Sequence, residues 1–426
     1  IPASGLGSIG YQWFADGSAL SGETQATLSL ASSMVGKRIS VTASYTDNAG
    51  TAESVGSALS LAVSPIQSVV TNQAPVFALG DGVVTLPASV NTPSRALTLQ
   101  SDGKALVATP AALLRFNTDG TPDATFGTAG SVPMNFGTLY GSSGAYSVNL
   151  ASNGKIVVAG QYYSSATSYD WRVLRFNANG TIDTTFGSNG AVSADIGGTL
   201  GRCYDAIVLA DGSVVVTGYG FVAKFTSTGA IDTSFGGGDG VVELAMLSFA
   251  LRAQSDGKLL VAGESDGSPY STKIARLTSS GVLDTSFDGD GYASPGQGSA
   301  ALDLAVQTSG KILLSVASYG SDAGLLRLNA NGSVDTSFGT NGFIGVGREA
   351  VALQGDGKIL SAGTGLSRYS AEGAIDTSFD GDGTVSGAGG SSIAVQTDGK
   401  ILVVNGSKLS RYEASGAIDL SYDPGA

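Results

Sequence analysis

The side chains of this chain that could do chemistry are almost all carboxylates. Its 35 Asp and Glu face 22 Lys and Arg, and there is no His, so the usual general base, the Ser–His and Cys–His nucleophile pairs and every imidazole metal site are excluded. The single cysteine, Cys203, can form neither an internal disulfide nor a thiolate zinc site, which leaves hard cations held by oxygen. Two chemistries survive. Glycoside hydrolysis needs two carboxyl groups and no imidazole. The acids that stand outside any repeat are Asp170, Asp205, Glu264, Asp266 and Asp322, and two acids within about 10 Å of each other would mark a hydrolase. Calcium takes clustered carboxylate and carbonyl oxygens. The segment F-D-G-D-G, at Phe287–Gly291 and Phe379–Gly383, sets Asp284, Asp288 and Asp290, or Asp376, Asp380 and Asp382, close in sequence. Asp-Gly is equally ordinary turn chemistry, and the spacing is shorter than an EF-hand loop.

These acids must be positioned by a repeat that occurs seven times. It opens with an alternating apolar strand, a tight turn and a second apolar strand: LTLQSDGKALVA, VNLASNGKIVVAG, IVLADGSVVVTG, LRAQSDGKLLVAG, LAVQTSGKILLS, VALQGDGKILSAG and IAVQTDGKILVVN. The turn glycines are Gly103, Gly154, Gly212, Gly257, Gly310, Gly357 and Gly399. Period-two alternation around an Asp-Gly or Asn-Gly turn is the strongest short-range hairpin signal, so each unit holds a β-hairpin.

A second element follows each hairpin, as in ARLTSSGVLDTSF and LRLNANGSVDTSF. Counted from its Asp (Asp123, Asp183, Asp232, Asp284, Asp335, Asp376 and Asp419), a cation stands eight residues earlier in every copy: Arg115, Arg175, Lys224, Arg276, Arg327, Arg368 and Arg411. Glycine is always three residues before the Asp, and an aromatic three after it, six times Phe and finally Tyr422. A pattern repeated seven times is architecture, so cation and Asp are expected to pair and the aromatic to fill the core between repeats. The turn lysines are expected to be solvated flanks, and loss of an Asp to cost no more than an exposed ion pair, about 0–1 kcal/mol.

A glycine-marked strand such as GVVEL or GFIGV follows each aromatic, giving about four strands in a period near 49 residues, the signature of β-propeller blades. The last repeat lacks this strand, while LGDGVVTL (Leu79–Leu86) precedes the first hairpin. The spacing therefore predicts a seven-bladed, all-β propeller closed by a strand from before its first repeat, beside Lys408–Tyr412. L-x-L-Q is taken as the inner strand because it is the most uniform.

Residues 1–64 lack the repeat and read as an incomplete Ig-like β-sandwich, with Trp13 and Tyr45 as core aromatics; residues 65–76 read as linker and 77–426 as propeller. The start at Ile1 reads as a piece of a longer polypeptide. A free sheet edge is expected beside Tyr11–Phe14 or Arg38–Tyr45, open to a strand from outside, either upstream residues of the same chain or another copy in a filament.

The repeat Q-S-D-G-K-L-L-V-A-G followed by A-R-L-x-x-x-G-x-L-D-T-S-F closely resembles the delta-60 repeat family of bacterial β-propellers, over about Phe77–Ala426. Y-Q-W-x-x-D-G, then V-G-K-x-I-S-V-x-A-S-Y-T-D, resembles a bacterial Ig-like repeat of large adhesins. These resemblances imply an extracellular or cell-surface bacterial setting and carry no catalytic residues to transfer.

A net charge of −13 argues against nucleic acid, and no run approaches the ~20 apolar residues of a membrane-inserted helix. No cofactor is called for beyond the calcium just described. The length variation falls on the face opposite the G-K turns, which carries Tyr140, Tyr146, Tyr162, Tyr163, Tyr169, Trp171, Tyr204, Tyr219, Tyr270 and Tyr319. Loop tyrosines suit recognition because they offer rigid amphipathic area at low entropy cost. The chain is therefore expected to be a non-catalytic surface module for adhesion or extracellular assembly, binding a glycan or protein, or copies of itself.

Overall fold

The computed structural model describes residues 8–46, 50–60, 62, 81–86, 96–136, 144–165, 168–196, 201–318, 323–346 and 350–423. The chain divides into two compact units, Gly82–Tyr422 and Ile1–Asp81 with Asp423–Ala426. The expected linker 65–76 lies outside the described residues. Among the described residues one short 3-10 turn, Ser32–Met34, interrupts an otherwise β architecture, and no helix is long and apolar enough to cross a membrane.

In the smaller unit, β1 (Gly10–Ala15), β2 (Ser18–Ala19), β3 (Ile39–Thr46) and β4 (Ala52–Gly56) form one antiparallel sheet in the order β2-β1-β3-β4. The alternation of β3 buries Ile39, Val41, Ala43 and Tyr45 on one face. Trp13, Leu28 and Met34 pack on that face with Ile39 and Val41, and the Trp13 indole donates to the Gln25 carbonyl at 2.8 Å. Both aromatics are thus core, as expected. Among the described residues this unit shows one sheet, and the segment between β2 and β3 covers its apolar face. Of the two expected edges, Arg38–Tyr45 is corrected, since it lies within the sheet between β1 and β4. β2 pairs only with Phe14 and Ala15, so among the described residues no strand lies beside Tyr11–Trp13 on the side away from β3.

The larger unit holds seven four-stranded antiparallel sheets among its described residues. Their first strands are Ala96–Leu99, Gly144–Leu150, Asp205–Val208, Met246–Ala253, Ala300–Val306, Ala350–Leu353 and Ser392–Val395. Each lies against the first strand of the next sheet, and the last lies against the first, so the sheets close a ring with the L-x-L-Q strands innermost. In the last sheet the outer strand is Val83–Thr85, antiparallel to Lys408–Tyr412 with Val84 opposite Leu409. The strand that the last repeat lacks is supplied from ahead of the first, as its sequence requires.

The repeated motif forms the joints of this ring. All seven cations meet their Asp, with Nε–Oδ2 distances of 2.6–2.7 Å for the six arginines and Nζ–Oδ2 of 3.0 Å for Lys224. The turn lysines are not solvated flanks: Lys104, Lys155, Lys258, Lys311, Lys358 and Lys400 each bind the same carboxylate oxygen, Oδ2, as the arginine, at 2.6–3.1 Å. The physical reason is that the hairpin turn and the D-T-S-F loop share one end of the sheet, and a carboxylate taken out of water there holds both cations. Only the third repeat has one cation, because Ser213 stands where the others have Lys.

Each arginine also reaches the neighbouring repeat. Its guanidinium lies 4.4–4.6 Å from the centroid of the aromatic three residues past the Asp, and its Nη1 donates to a carbonyl in the next repeat's turn. The last of these, from Arg411 to the Thr118 carbonyl, joins the seventh repeat to the first. The invariant glycine three before the Asp is explained by the same joint. At Gly373 φ is +89°, and a Cβ would stand 2.6 Å from the Phe338 ring of the preceding repeat. Gly373→Ala is therefore expected to cost about 1–3 kcal/mol, read as a lowered urea midpoint; an unchanged midpoint would show that the joint yields.

Candidate ligand-binding site

At the centre of the ring, first strands from six of the seven sheets line a cavity of about 680 Å³. Its wall is set by irregularities that the repeat pattern hides. Three inner strands carry a β-bulge, between Ala145 and Ser147, between Ser248 and Ala250, and between Ala301 and Asp303. A bulge leaves one residue unpaired and re-aims its side chain. The residues at these register shifts are Tyr146, Phe249 and Leu302, and all three line the cavity. Tyr204 occupies the equivalent place, eight residues before its turn glycine. The Tyr146 and Tyr204 rings meet edge to face with centroids 5.8 Å apart, and Tyr204 meets Phe249 likewise at 5.2 Å. An aromatic arc thus spans three successive sheets, its two tyrosines half-buried.

Beneath the arc lies an ion cluster. Arg252 donates through Nη1 to Asp205 Oδ2 at 2.9 Å and through Nη2 to Asp303 Oδ1 at 2.8 Å. Asp205 also accepts from Ser147 Oγ at 2.8 Å and from the backbone N–H groups of Ala206 and Leu251 at 2.8 and 2.9 Å. Asp303 accepts from the N–H groups of Leu304 and Val351 at 2.8 and 3.0 Å. Each carboxylate thereby ties its own inner strand to that of a neighbouring sheet. Burial works against the charged guanidinium, but Asp303 and Asp205 more than offset it and hold the Arg252 pKa above its ordinary value. Burial pushes the Asp303 carboxyl up, helped by the charge of Asp205 and opposed by Arg252 and the two N–H groups.

Of the residues singled out in the sequence, Tyr146, Tyr204 and Asp205 come together here. Trp171 does not: it is 1% exposed and packs with Phe186, Val192 and Cys203. It sits mid-strand, paired with Gln161 and Ala194, so its large ring fills the space between sheets rather than facing solvent. Tyr162 lies under the Arg172 guanidinium at 4.8 Å, Tyr219 is in a turn with φ +48°, and Tyr270 is 45% exposed; none of the three lines the cavity. Tyr140, Tyr319 and Asp322 lie outside the described residues, as do the side chains of Tyr163 and Tyr169. Asp170 is half-buried on a strand, Asp266 is exposed, and Glu264 is buried, its pKa raised by that burial, without a place in the cavity.

The calcium clusters are not assembled. Among the described residues no three acidic, His or Cys side chains converge as a metal site. Asp284 and Asp376 are joint carboxylates, already bound to Arg276 and Lys258 or Arg368 and Lys358. Asp290 and Asp382 each accept from the backbone N–H two residues on at 2.8 Å, closing a turn. Asp288 and Asp380 both have φ of +52°, at the position where four other repeats place glycine and the last places Asp423, and Asp tolerates that conformation. F-D-G-D-G is a turn.

Phe249, Arg252 and Asp303 were not singled out from sequence. Their signal lies in the aligned inner strands: at the position of Asp205 and Asp303, the other repeats carry Ala96, Ser147, Ala250, Ala350 and Ser392. A charge breaking a column of small residues, at the strand that lines a ring, is the mark that repeat averaging conceals.

Five segments, residues 100–126, 151–186, 209–235, 254–287 and 307–338, match the model of a family described as a β-propeller domain of unknown function, DUF5122. No curated protein matches the chain. Among solved structures it is similar to the extracellular domain of BT3049 from B. thetaiotaomicron, at 11% identity and TM-score 0.48 over 93% of this chain and 54% of that one. The extracellular domain of BT4673 from the same organism matches at 12% and 0.45, over 78% and 40%. The gluconolactonase XC5397 from Xanthomonas campestris matches at 12% and 0.39, over 77% and 96%. The chain thus spans only about half, or less, of the two B. thetaiotaomicron domains. With its ring of four-stranded sheets, its repeated joints and the five matched segments, Gly82–Tyr422 is a β-propeller.

Proposed function

We propose that this chain is a recognition module of an extracellular or surface-attached bacterial protein. In this reading its seven sheets are the blades of a seven-bladed propeller of the delta-60 kind behind an Ig-like module, and it binds a saccharide at the centre of the ring. The observation that carries the reading is the arc of Tyr146, Tyr204 and Phe249, turned into one cavity over a fixed set of hydrogen-bonding groups. Aromatic faces accept the apolar face of a pyranose, while Asn149, Ser392 and the ion cluster supply polar contacts at its rim. A glycan array followed by titration calorimetry of the best ligand tests it. Tyr204→Ala is expected to weaken binding by about tenfold or more; unchanged affinity would overturn the assignment of the site.

One observation favours a second reading, a carboxylate hydrolase. Arg252 bridges Asp205 and Asp303, so the two carboxylates stand within about 8 Å of each other, close enough for a glycosidase pair. The same bridge argues for binding without turnover, because the guanidinium occupies the space that a glycosidic bond and its attacking water would need. Release of reducing ends from a bound glycan, abolished by Asp303→Asn, would establish the hydrolase; binding without release supports recognition.

A further inference from the structure

We propose that Asp205 is the positioning residue of the aromatic arc: its one carboxylate bonds to a group beside each of the three rings, the Ser147 hydroxyl and the N–H groups of Ala206 and Leu251. Resting on the saccharide reading of this cavity, the inference assigns a task to a group that would otherwise pass as an ordinary ion-pair partner of Arg252. Oδ1 accepts from the hydroxyl of Ser147, the residue after Tyr146, and from the N–H of Ala206, two after Tyr204. Oδ2 accepts from the N–H of Leu251, two after Phe249, and from Arg252. Asn149 closes the network, donating to Ser147 Oγ and to the Ala206 carbonyl, both at 2.8 Å.

The need for such a device follows from the bulges. Tyr146 and Phe249 stand at the register shifts of their strands, where a bulge re-aims the side chain. Tyr204 precedes its strand, held to the sheet through its N–H on Thr217 O at 2.9 Å. Three rings from three separate sheets thus stand at edge-to-face angles of 83° and 77°. Asp205 belongs to the middle sheet and bonds to both neighbours, and its two oxygens engage four donors, which fills the acceptor capacity of a carboxylate. An amide in its place would present one acceptor oxygen and turn an N–H pair toward donors, breaking the ties on one side.

The test compares Asp205→Asn with Ser147→Ala, which removes only the tie to the Tyr146 strand, and with Asp376→Asn, which alters a joint remote from the cavity. The part of the near-ultraviolet circular dichroism that Tyr204→Ala abolishes defines the signal of the arc in ligand-free protein. Asp205→Asn is expected to lose most of that signal and to bind the saccharide about tenfold more weakly, Ser147→Ala to lose part of both, and Asp376→Asn to keep both while melting lower. An intact arc signal in Asp205→Asn and Ser147→Ala would overturn the positioning role, as would an equal loss of affinity in Asp376→Asn. If wild-type protein binds no saccharide, the recognition reading fails, and the ligand-free signal still decides what Asp205 does. Should Asp205→Asn not fold, Ser147→Ala decides by the same two readouts.

Discussion

Replacing Asp335 by Ala should destabilise the propeller by about 2–4 kcal/mol, more than the exposed ion pair that the sequence suggests. Its carboxylate holds Arg327 at 2.7 Å and Lys311 at 2.9 Å, and the Arg327 side chain is 1% exposed. Deleting the anion leaves the guanidinium, buried against Phe338, with the exposed Glu372 carboxylate at 2.6 Å as its remaining anionic partner, so the buried side of the pair is lost. The third blade provides the contrast within the same molecule. Asp232 faces Lys224 alone, and both side chains are more exposed, at 18% and 15%. Asp232→Ala should cost about 1–2 kcal/mol. Denaturant midpoints of the two variants check the ordering, and equal costs would show that the second cation and the burial do not matter.

The same joints set the acid limit. At Asp335, burial raises the carboxyl pKa, but hydrogen bonds from Ser337, Lys311, the backbone and Arg327 outweigh it and hold the group well below the usual carboxylate range. A depressed folded-state pKa contributes stability that is fully present above the unfolded value, about 4, and is lost as pH falls below it toward the folded value. Asp123, Asp183, Asp284, Asp376 and Asp419 are shifted in the same direction. Stability should therefore fall steeply below about pH 4, and Asp335→Asn should flatten that fall.

Removing residues 1–86 should prevent the ring from closing, whereas removing residues 1–80 should leave its unfolding transition in place. The difference is the strand Val83–Thr85 with its flanks. Val84 and Leu86 are buried with Leu409 and Tyr422, and outside the strand pairing Leu86 N–H bonds Ser407 O and Arg411 N–H bonds Gly82 O. Two apolar side chains at about 2 kcal/mol each, plus several backbone bonds near 1 kcal/mol each, approach the whole stability of a typical domain. Leu86→Ala is the milder version, expected to cost about 2–5 kcal/mol. Wild-type melting of the chain lacking residues 1–86 would refute this role of the closing strand.

The repeat by itself determined the ring. Glycine turns flanked by period-two alternation make hairpins whatever surrounds them, and seven equal spacings of cation, glycine, Asp and aromatic oblige every joint to be built alike. Closure was equally legible, because a strand missing at one end of a repeat array and present at the other has one economical use. Trp13 and Tyr45 were readable as core for the same local reason, alternation on a strand. The sequence could not tell which loop tyrosines share a cavity. Tyr270 and Tyr204 look alike in a list of residues, and Trp171 looks like a loop anchor until its strand is paired between two others. Proximity between Ser147, Asp205 and Leu251 depends on how three blades are stacked, a long-range arrangement that no local pattern encodes. Burial, too, was decided only in three dimensions: the turn lysines and the D-T-S-F aspartates are polar residues in polar loops, and only the folding of both loops to the same end of a sheet withdraws them from water and makes them the joint.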